Sequence, residues 1–199
     1  MTRFAMVIDL NTCIGCHACS VACKVNNNLP VDLWYNRVLT DGSAYMDTAS
    51  GTYPNDVHRE HIPMTCQHCS NAPCATVCPT GATSILENGV VAVDAEQCIG
   101  CGSCIEACPY DVRTLIKEEP KFVMDFALGD WDAPEHKAGV VEKCTFCQNR
   151  VERGEVPARP LTAASRATAS SDDAPSIGAP GPARRLIVTP ALIASPLVL

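Results

Sequence analysis

Apolar residues in this chain fall in short runs set among polar, turn-rich stretches. Phe4 to Asp9 alternates weakly between apolar and polar positions and predicts a short strand. Residues 83–93, TSILENGVVAV, hold two β-prone runs around Asn88-Gly89, a dipeptide that favours a tight hairpin turn. Residues 24–63, with Asn26-Asn27-Asn28, Trp34-Tyr35 and Asp41-Gly42, read mostly as loops and turns. Residues 110–143 read as a second insertion. The last apolar run, LIVTPALIASPLVL from Leu186, is 14 residues long and broken by Pro190 and Pro196. It is too short to span a bilayer.

The spaces between these elements are filled by fourteen cysteines in four groups. Cys13, Cys16, Cys19 and Cys23 read C-x2-C-x2-C-x3-C, and Cys98, Cys101, Cys104 and Cys108 repeat that spacing with Pro109 directly after. Cys66, Cys69, Cys74 and Cys78 follow the same plan with two extra residues between the second and third, and Pro79 follows. Cys144 and Cys147 form the fourth group. The three full runs have the spacing that holds cubane iron–sulfur clusters in bacterial ferredoxins, and this points to an electron carrier. Three closely spaced thiolates can wrap three corners of a cube from one loop while loop amides face its sulfides. In two-cluster ferredoxins the fourth cysteine serves the neighbouring cluster, which brings two cubes close together. That fourth cysteine is expected at the start of a helix leading away. Gly15 and Gly100 suit a loop backbone that must approach the cube closely.

Part of the chain repeats. Val7-Ile8-Asp9 stands before Cys13-Ile14-Gly15-Cys16 as Ala92-Val93-Asp94 stands before Cys98-Ile99-Gly100-Cys101, at a constant offset of 85 residues. Residues 1–24 and 86–109 are read as copies of one unit.

The 199 residues suffice for one domain, but only 5% are aromatic, so bound clusters are expected to act as much of the core. A net charge of −7 argues against a nucleic-acid partner. The opening MTRFAMVIDL leads straight into the first motif without a signal-peptide pattern, so assembly in a reducing compartment is expected and a disulfide framework is not. Zinc is the better rival, since CxxC pairs bind it, although zinc ribbons use two such pairs and not three full runs. His17 and His68 lie inside cysteine loops; with four cysteines in each run they are read as neighbours of a cluster and not as ligands. His58, His61 and His136 carry no metal assignment, and Trp34 and Trp131 are read as packing or interface residues. No phosphate-binding loop or Ser/His/Asp arrangement is found, so no bond chemistry is assigned to the chain.

Taken together, CIGCHACSVAC, CQHCSNAPCATVCPTGA, CIGCGSCIEACPYDVR and KCTFCQNRVERGEVPA resemble blocks of the iron–sulfur subunits of dimethyl sulfoxide reductase and polysulfide reductase-type molybdopterin oxidoreductases, over residues 1 to about 157. The resemblance implies four [4Fe–4S] clusters in two ferredoxin-like pairs, an inner and an outer, of which two sites are complete in this chain. They would relay electrons between a quinol-oxidising integral membrane anchor and a molybdopterin-containing catalytic subunit. Such a subunit is expected to be assembled in the cytoplasm and to sit peripherally within its complex on either face of the membrane, co-export with the catalytic subunit being one route. The resemblance also implies the ligand sets. One inner cluster takes Cys66, Cys69, Cys74 and Cys108, and the other takes Cys78, Cys98, Cys101 and Cys104.

The outer pair departs from the family pattern. Cys13, Cys16 and Cys19 lack a fourth ligand, as do Cys23, Cys144 and Cys147, because the C-x3-C-P stretch expected after Ala158 is replaced by Arg159-Pro160-Leu161. From Arg159 to Leu199 there is no cysteine, aromatic residue, lysine, glutamate or histidine. We read this aberrant tail as a shifted reading frame in a GC-rich gene, the alternative being a genuine divergent tail. Its composition predicts disorder.

The expected architecture is α+β, with tandem bacterial-ferredoxin-like modules, loop insertions and a disordered C-terminal tail. Modules fall at 1–34, 57–88 and 89–118, and an insertion at 35–56. Residues 119–158 hold a further insertion with the incomplete fourth cysteine group, and 159–199 are the tail. A free-standing two-cluster carrier and a zinc-binding interaction module are the competing readings.

Overall fold

The computed structural model of the chain describes residues 5–40, 51–57, 59–158, 165–168 and 185–188. Strand β1 (Ala5–Asp9) runs into a turn of 3-10 helix that Asp9 caps by accepting the Asn11 N–H at 3.0 Å. Helix α1 (Ala18–Asn26) follows, and the antiparallel pair β2 (Asn36–Thr40) and β3 (His61–Thr65) comes next. A short helix α2 (Pro73–Thr76) leads to the hairpin β4 (Thr83–Ile85) and β5 (Val91–Val93). Helix α3 (Ser103–Glu106), the two-residue pair β6 (Thr114–Leu115) and β7 (Val141–Glu142), and helix α4 (Gln148–Glu152) complete the cysteine-bearing part.

The strand at the amino end and the hairpin around Asn88-Gly89 lie where the sequence places them. The Asn88 side chain accepts the Val90 N–H at 3.0 Å, and Gly89 takes φ 84°, the left-handed turn that glycine tolerates. The reading of 24–63 as mostly loop holds for most of its described residues but leaves out β2 and β3, which pair over five residues from Asn36 opposite Thr65 to Thr40 opposite His61. The residues β2 turns inward are Asn36, Val38 and Thr40, two of them polar, so the alternation is invisible to a hydropathy pattern. Asp41-Gly42 and His58 lie outside the described residues.

A second correction concerns the tail. Two stretches of it are extended: β8 (Ser165–Thr168) and β9 (Arg185–Val188) pair antiparallel with opposite edges of β1, giving the strand order β8-β1-β9. Composition could not reveal this, because a strand added to a free edge is held mainly by main-chain hydrogen bonds.

A third correction concerns the cysteine runs. The third cysteine, not the fourth, lies on the helix: Cys74 in α2 and Cys104 in α3, with Cys78 and Cys108 two residues beyond the helix ends. The x3 gap is about one turn of helix, and that turn stands between the two cysteines. In the longer α1 both Cys19 and Cys23 are helical.

The repeat is structural as well as textual. His17 and Gly102, 85 positions apart, are the N-caps of α1 and α3, and both are left-handed, at φ 59° and 81°. Gly15 and Gly100 are also left-handed, at φ 70° and 65°. A Cβ at Gly15 would lie 2.5 Å from the His61 ring, and one at Gly100 would lie 2.4 Å from the Gly139 carbonyl. Close packing inside the protein already requires these glycines, before any cofactor is considered.

Among the described residues the apolar side chains gather in three small nuclei. Met6, Ile8, Val90 and Phe146 form one; Cys23, Leu29, Leu33, Tyr35 and Ile116 form the second; Ala72, Cys74, Val91, Cys104 and Val141 form the third. Cysteines belong to two of them, so the cores are built around the sulfur positions.

Candidate iron–sulfur sites

All fourteen cysteines are thiols, and the loops sort them into neighbourhoods. Cys78, Cys98, Cys101 and Cys104 line one cavity together with Gly100, Gly102, Thr80 and Thr83. One of these cysteines comes from the second run and three from the third. Reciprocally, Cys69 has Cys74 and Cys108 as electrostatic neighbours, which brings a third-run cysteine to the second-run loop. Cys74 and Cys104 share the third apolar nucleus through the packing of α2 on α3, so the two neighbourhoods adjoin.

The remaining cysteines gather at the other end. Cys144 and Cys147 are close, and Tyr35 feels the charge of both Cys23 and Cys144. The Asn27 amide donates to the Cys23 sulfur at 3.5 Å and also serves Cys147, so one side chain ties α1 to the fourth cysteine group. The backbone at Ala158, the last residue before the divergent tail, hydrogen-bonds Cys147 too. Cys66 is an electrostatic neighbour of Cys144 and thereby links the two ends. Cys13, Cys16 and Cys19 lie on the loop and first turn that lead into α1.

Donors around the sulfurs are numerous. The Thr83 N–H reaches Cys78 at 3.4 Å and the Phe146 N–H reaches Cys144 at the same distance. Slight burial pushes the Cys78 thiol up, but donors at Thr83, Thr80 and Ala82 outweigh it and bring its pKa down to about 7. Hydrogen bonds from Ser103 lower Cys101 in the same way. Cys66 and Cys147 go the other way: burial pushes each up to about 11. A buried thiol of this kind ionises readily only when a metal takes the proton's place.

His68 is fully buried between Cys66 and Cys69. Its Nδ1 accepts the Val91 N–H at 3.1 Å, which leaves the proton on Nε2, and Nε2 has no partner among the described residues. Burial, then the charges of Lys143 and Arg113, hold its pKa well below the ordinary range, so the ring stays neutral. An orphaned buried N–H costs about 1–3 kcal/mol, and a sulfide or thiolate is a fitting acceptor for it. Interleaved thiols, inward donors and this orphan N–H together fit a [4Fe–4S] cluster. When bound, such a cluster takes up and releases one electron at a time.

Next to the Cys23 neighbourhood lies a charged hydrogen-bond group. Glu142 Oε2 accepts from Tyr35 at 2.7 Å and pairs with His136 Nδ1 at 2.7 Å, while His136 Nε2 lies 3.0 Å from the Asn27 carbonyl. With acceptors at both nitrogens the ring is best satisfied as imidazolium. Burial pulls its pKa down, but the Glu142 hydrogen bond and charge and the Asn27 carbonyl prevail and raise it. A folded-state pKa above the unfolded value gives stability that is complete below that unfolded value and lost as pH rises through the folded one. We therefore expect thermal stability to decline as pH rises above about 6.5 and through the raised His136 value. H136Q should flatten that slope in melts followed across the range.

Sequence reasoning missed this group because its members come from 27, 35, 136 and 142. It also missed Arg113 and Lys143, both buried charges. The one available hint was that each flanks a cysteine block: Arg113 follows Cys108-Pro109, and Lys143 precedes Cys144. Trp34 packs under the Lys24 ammonium at 4.1 Å, whereas Trp131 is largely exposed beside Arg153.

The class is set by two matches, each described as a 4Fe–4S dicluster domain, at residues 12–82 and 57–123. A Halobacterium salinarum protein described as a dimethyl sulfoxide reductase iron–sulfur subunit is 45% identical over 163 residues, 79% of this chain and 62% of its own length. A tetrathionate reductase subunit of Salmonella typhimurium is 36% identical over 78% of this chain and 52% of its own length. The thiosulfate reductase electron transfer subunit of Salmonella typhi is 38% identical over 78% of this chain and 69% of its own length. The chain belongs to this family of reductase iron–sulfur subunits, and its cofactors are [4Fe–4S] clusters. It spans 62% and 52% of the first two relatives' lengths. No helix among the described residues is long and apolar enough to cross a membrane.

Proposed function

We propose that the chain is an electron-transfer subunit and not itself a catalyst, relaying single electrons between a molybdopterin catalytic subunit and a quinol-oxidising membrane anchor. One inner cluster is held by Cys66, Cys69, Cys74 and Cys108, and the other by Cys78, Cys98, Cys101 and Cys104. The observation that carries this reading is the exchange of a cysteine between runs, with Cys78 lining a cavity beside Cys98, Cys101 and Cys104. Modules at 1–34, 57–88 and 89–118 then form tandem ferredoxin-like units of α+β type.

Two further features support a relay with partners. Cys16 and Cys101 are exposed, and each lies near an exposed isoleucine, Ile14 and Ile99, on corresponding loops of the repeat. The 110–143 insertion also exposes Val123, Phe126 and Trp131, more apolar surface than a freely diffusing carrier needs. The outer groups, Cys13, Cys16 and Cys19 and then Cys23, Cys144 and Cys147, each provide three thiolates.

Iron and acid-labile sulfide per chain, measured after anaerobic reconstitution, test the assignment. About eight irons mean that only the inner pair assembles. A value close to sixteen means that other ligands complete the outer sites, and it overturns the truncated-relay reading. A colourless, iron-free protein would leave the zinc module standing. Co-purification with a large catalytic subunit separates the relay from a free-standing carrier.

A further inference from the structure

Arg113 is buried, at 3% exposure, in a protein whose net charge is −7. Its Nη2 donates to the Cys74 sulfur at 3.0 Å and its Nη1 donates to Thr83 Oγ1 at 3.2 Å. The same guanidinium lies in hydrogen-bonding reach of Cys104. Cys74 and Cys104 belong to different inner sites and pack in one apolar nucleus. The guanidinium therefore stands at the seam between the two sites, hydrogen-bonded to a sulfur of one and with its charge acting on a sulfur of the other. Lys143 is equally buried, with its ammonium donating to the carbonyls of Val91 and Cys144. Its field reaches Cys66 and His68, which lie on one side of the seam.

We propose that Arg113 is a shared electrostatic clamp that raises the reduction potentials of both inner clusters and lets both be reduced together, with Lys143 biasing the Cys66 cluster alone. The proposal rests on the ligand assignment given above. The chemistry is one electron arriving and no bond changing: each uptake adds one negative charge to a cluster already negative through its thiolates. Two such centres side by side repel, so the first electron opposes the second. A cation between them opposes that penalty at both, and in a buried site it is weakly screened. Arginine suits this place because it stays charged when buried and its planar fork can address two sulfurs and a hydroxyl at once. The Thr83 hydroxyl, itself buried, fixes the fork's direction.

The test is a redox titration followed by EPR on the full chain reconstituted anaerobically with iron and sulfide. Arg113→Gln keeps an N–H donor but loses the charge. It is expected to lower both inner midpoints and to widen the gap between them. A tenfold weaker preference for the reduced state corresponds to about 59 mV for one electron. Arg113→Lys should hold both near the parent values, Lys143→Met should lower one only, and exposed Lys121→Met should move neither. Unmoved midpoints in R113Q, or a shift of only one, would overturn the clamp while the ligand assignment stands. If R113Q loses iron, R113K decides: parent-like iron and midpoints support the clamp, and parent-like iron with fallen midpoints overturns it. Fewer than about eight irons in the parent chain would remove the ligand assignment itself.

Discussion

Replacing Cys74 with alanine is expected to cost the chain about four irons and to change the spectrum of the cluster that remains. Cys74 sits on α2, buried in the apolar nucleus that also holds Cys104, and its sulfur accepts from Arg113 at 3.0 Å. On the ligand assignment proposed above, alanine removes one corner ligand, and it leaves a buried guanidinium without its sulfur. Stranding one partner of a buried charged pair costs about 3–5 kcal/mol, and metal binding and folding are coupled in sites of this kind. The loss should therefore show in the thermal melt as well as in the iron count. EPR of the reduced variant should show one isolated cluster in place of an interacting pair. A full iron complement in C74A would mean that the cube is held elsewhere.

Phe146→Ala is expected to be the most damaging substitution outside the cysteines. The ring is 1% exposed and packs with Met6, Ile8 and Val90, so it joins β1, the β4–β5 hairpin and the fourth cysteine loop. It also meets His68 edge to face, with ring centroids 5.5 Å apart and planes at 87°. Emptying a site of this size costs about 3–5 kcal/mol, and the midpoint of thermal unfolding should fall by roughly 10 °C. The backbone at 146 is left-handed, at φ 61°, and its N–H serves the Cys144 sulfur. Differential scanning calorimetry of F146A beside F146L separates lost volume from lost aromatic contact: leucine should recover most of the stability. Equal melting of parent and F146A would show that the first nucleus does not hold the fold.

Much of this was legible in the chain because cysteine spacing is a geometric instruction. Three thiolates, each separated from the next by two residues, can wrap one cube from a short loop and the helical turn after it, and Asn88-Gly89 between β-prone runs forms a hairpin. What stayed hidden was settled by contacts between distant residues. The β2–β3 ladder turns Asn36 and Thr40 inward, so hydropathy gives no sign of it. Gly15 and Gly100 are small because of His61 and Gly139, 46 and 39 positions away, and not only because of a cofactor. The Tyr35–Glu142–His136 group and the Arg113 seam have no local signature, since a buried charge looks like a surface charge until its neighbours are known. The two tail strands pair through their backbone, which leaves composition little to report.

The exposed Cys16 and Cys101, beside Ile14 and Ile99, have a consequence apart from conduction. An opening that admits an electron partner also admits dioxygen and peroxide, and accessible thiolates are the first to be oxidised. For a relay subunit of the kind proposed, these two loops are the points of chemical attack before assembly, and a docked partner would shield the metal as well as exchange charge with it. On that proposal the lifetime in air would be governed by how quickly the subunit finds its complex, and the order of assembly would be a matter of survival as much as of wiring.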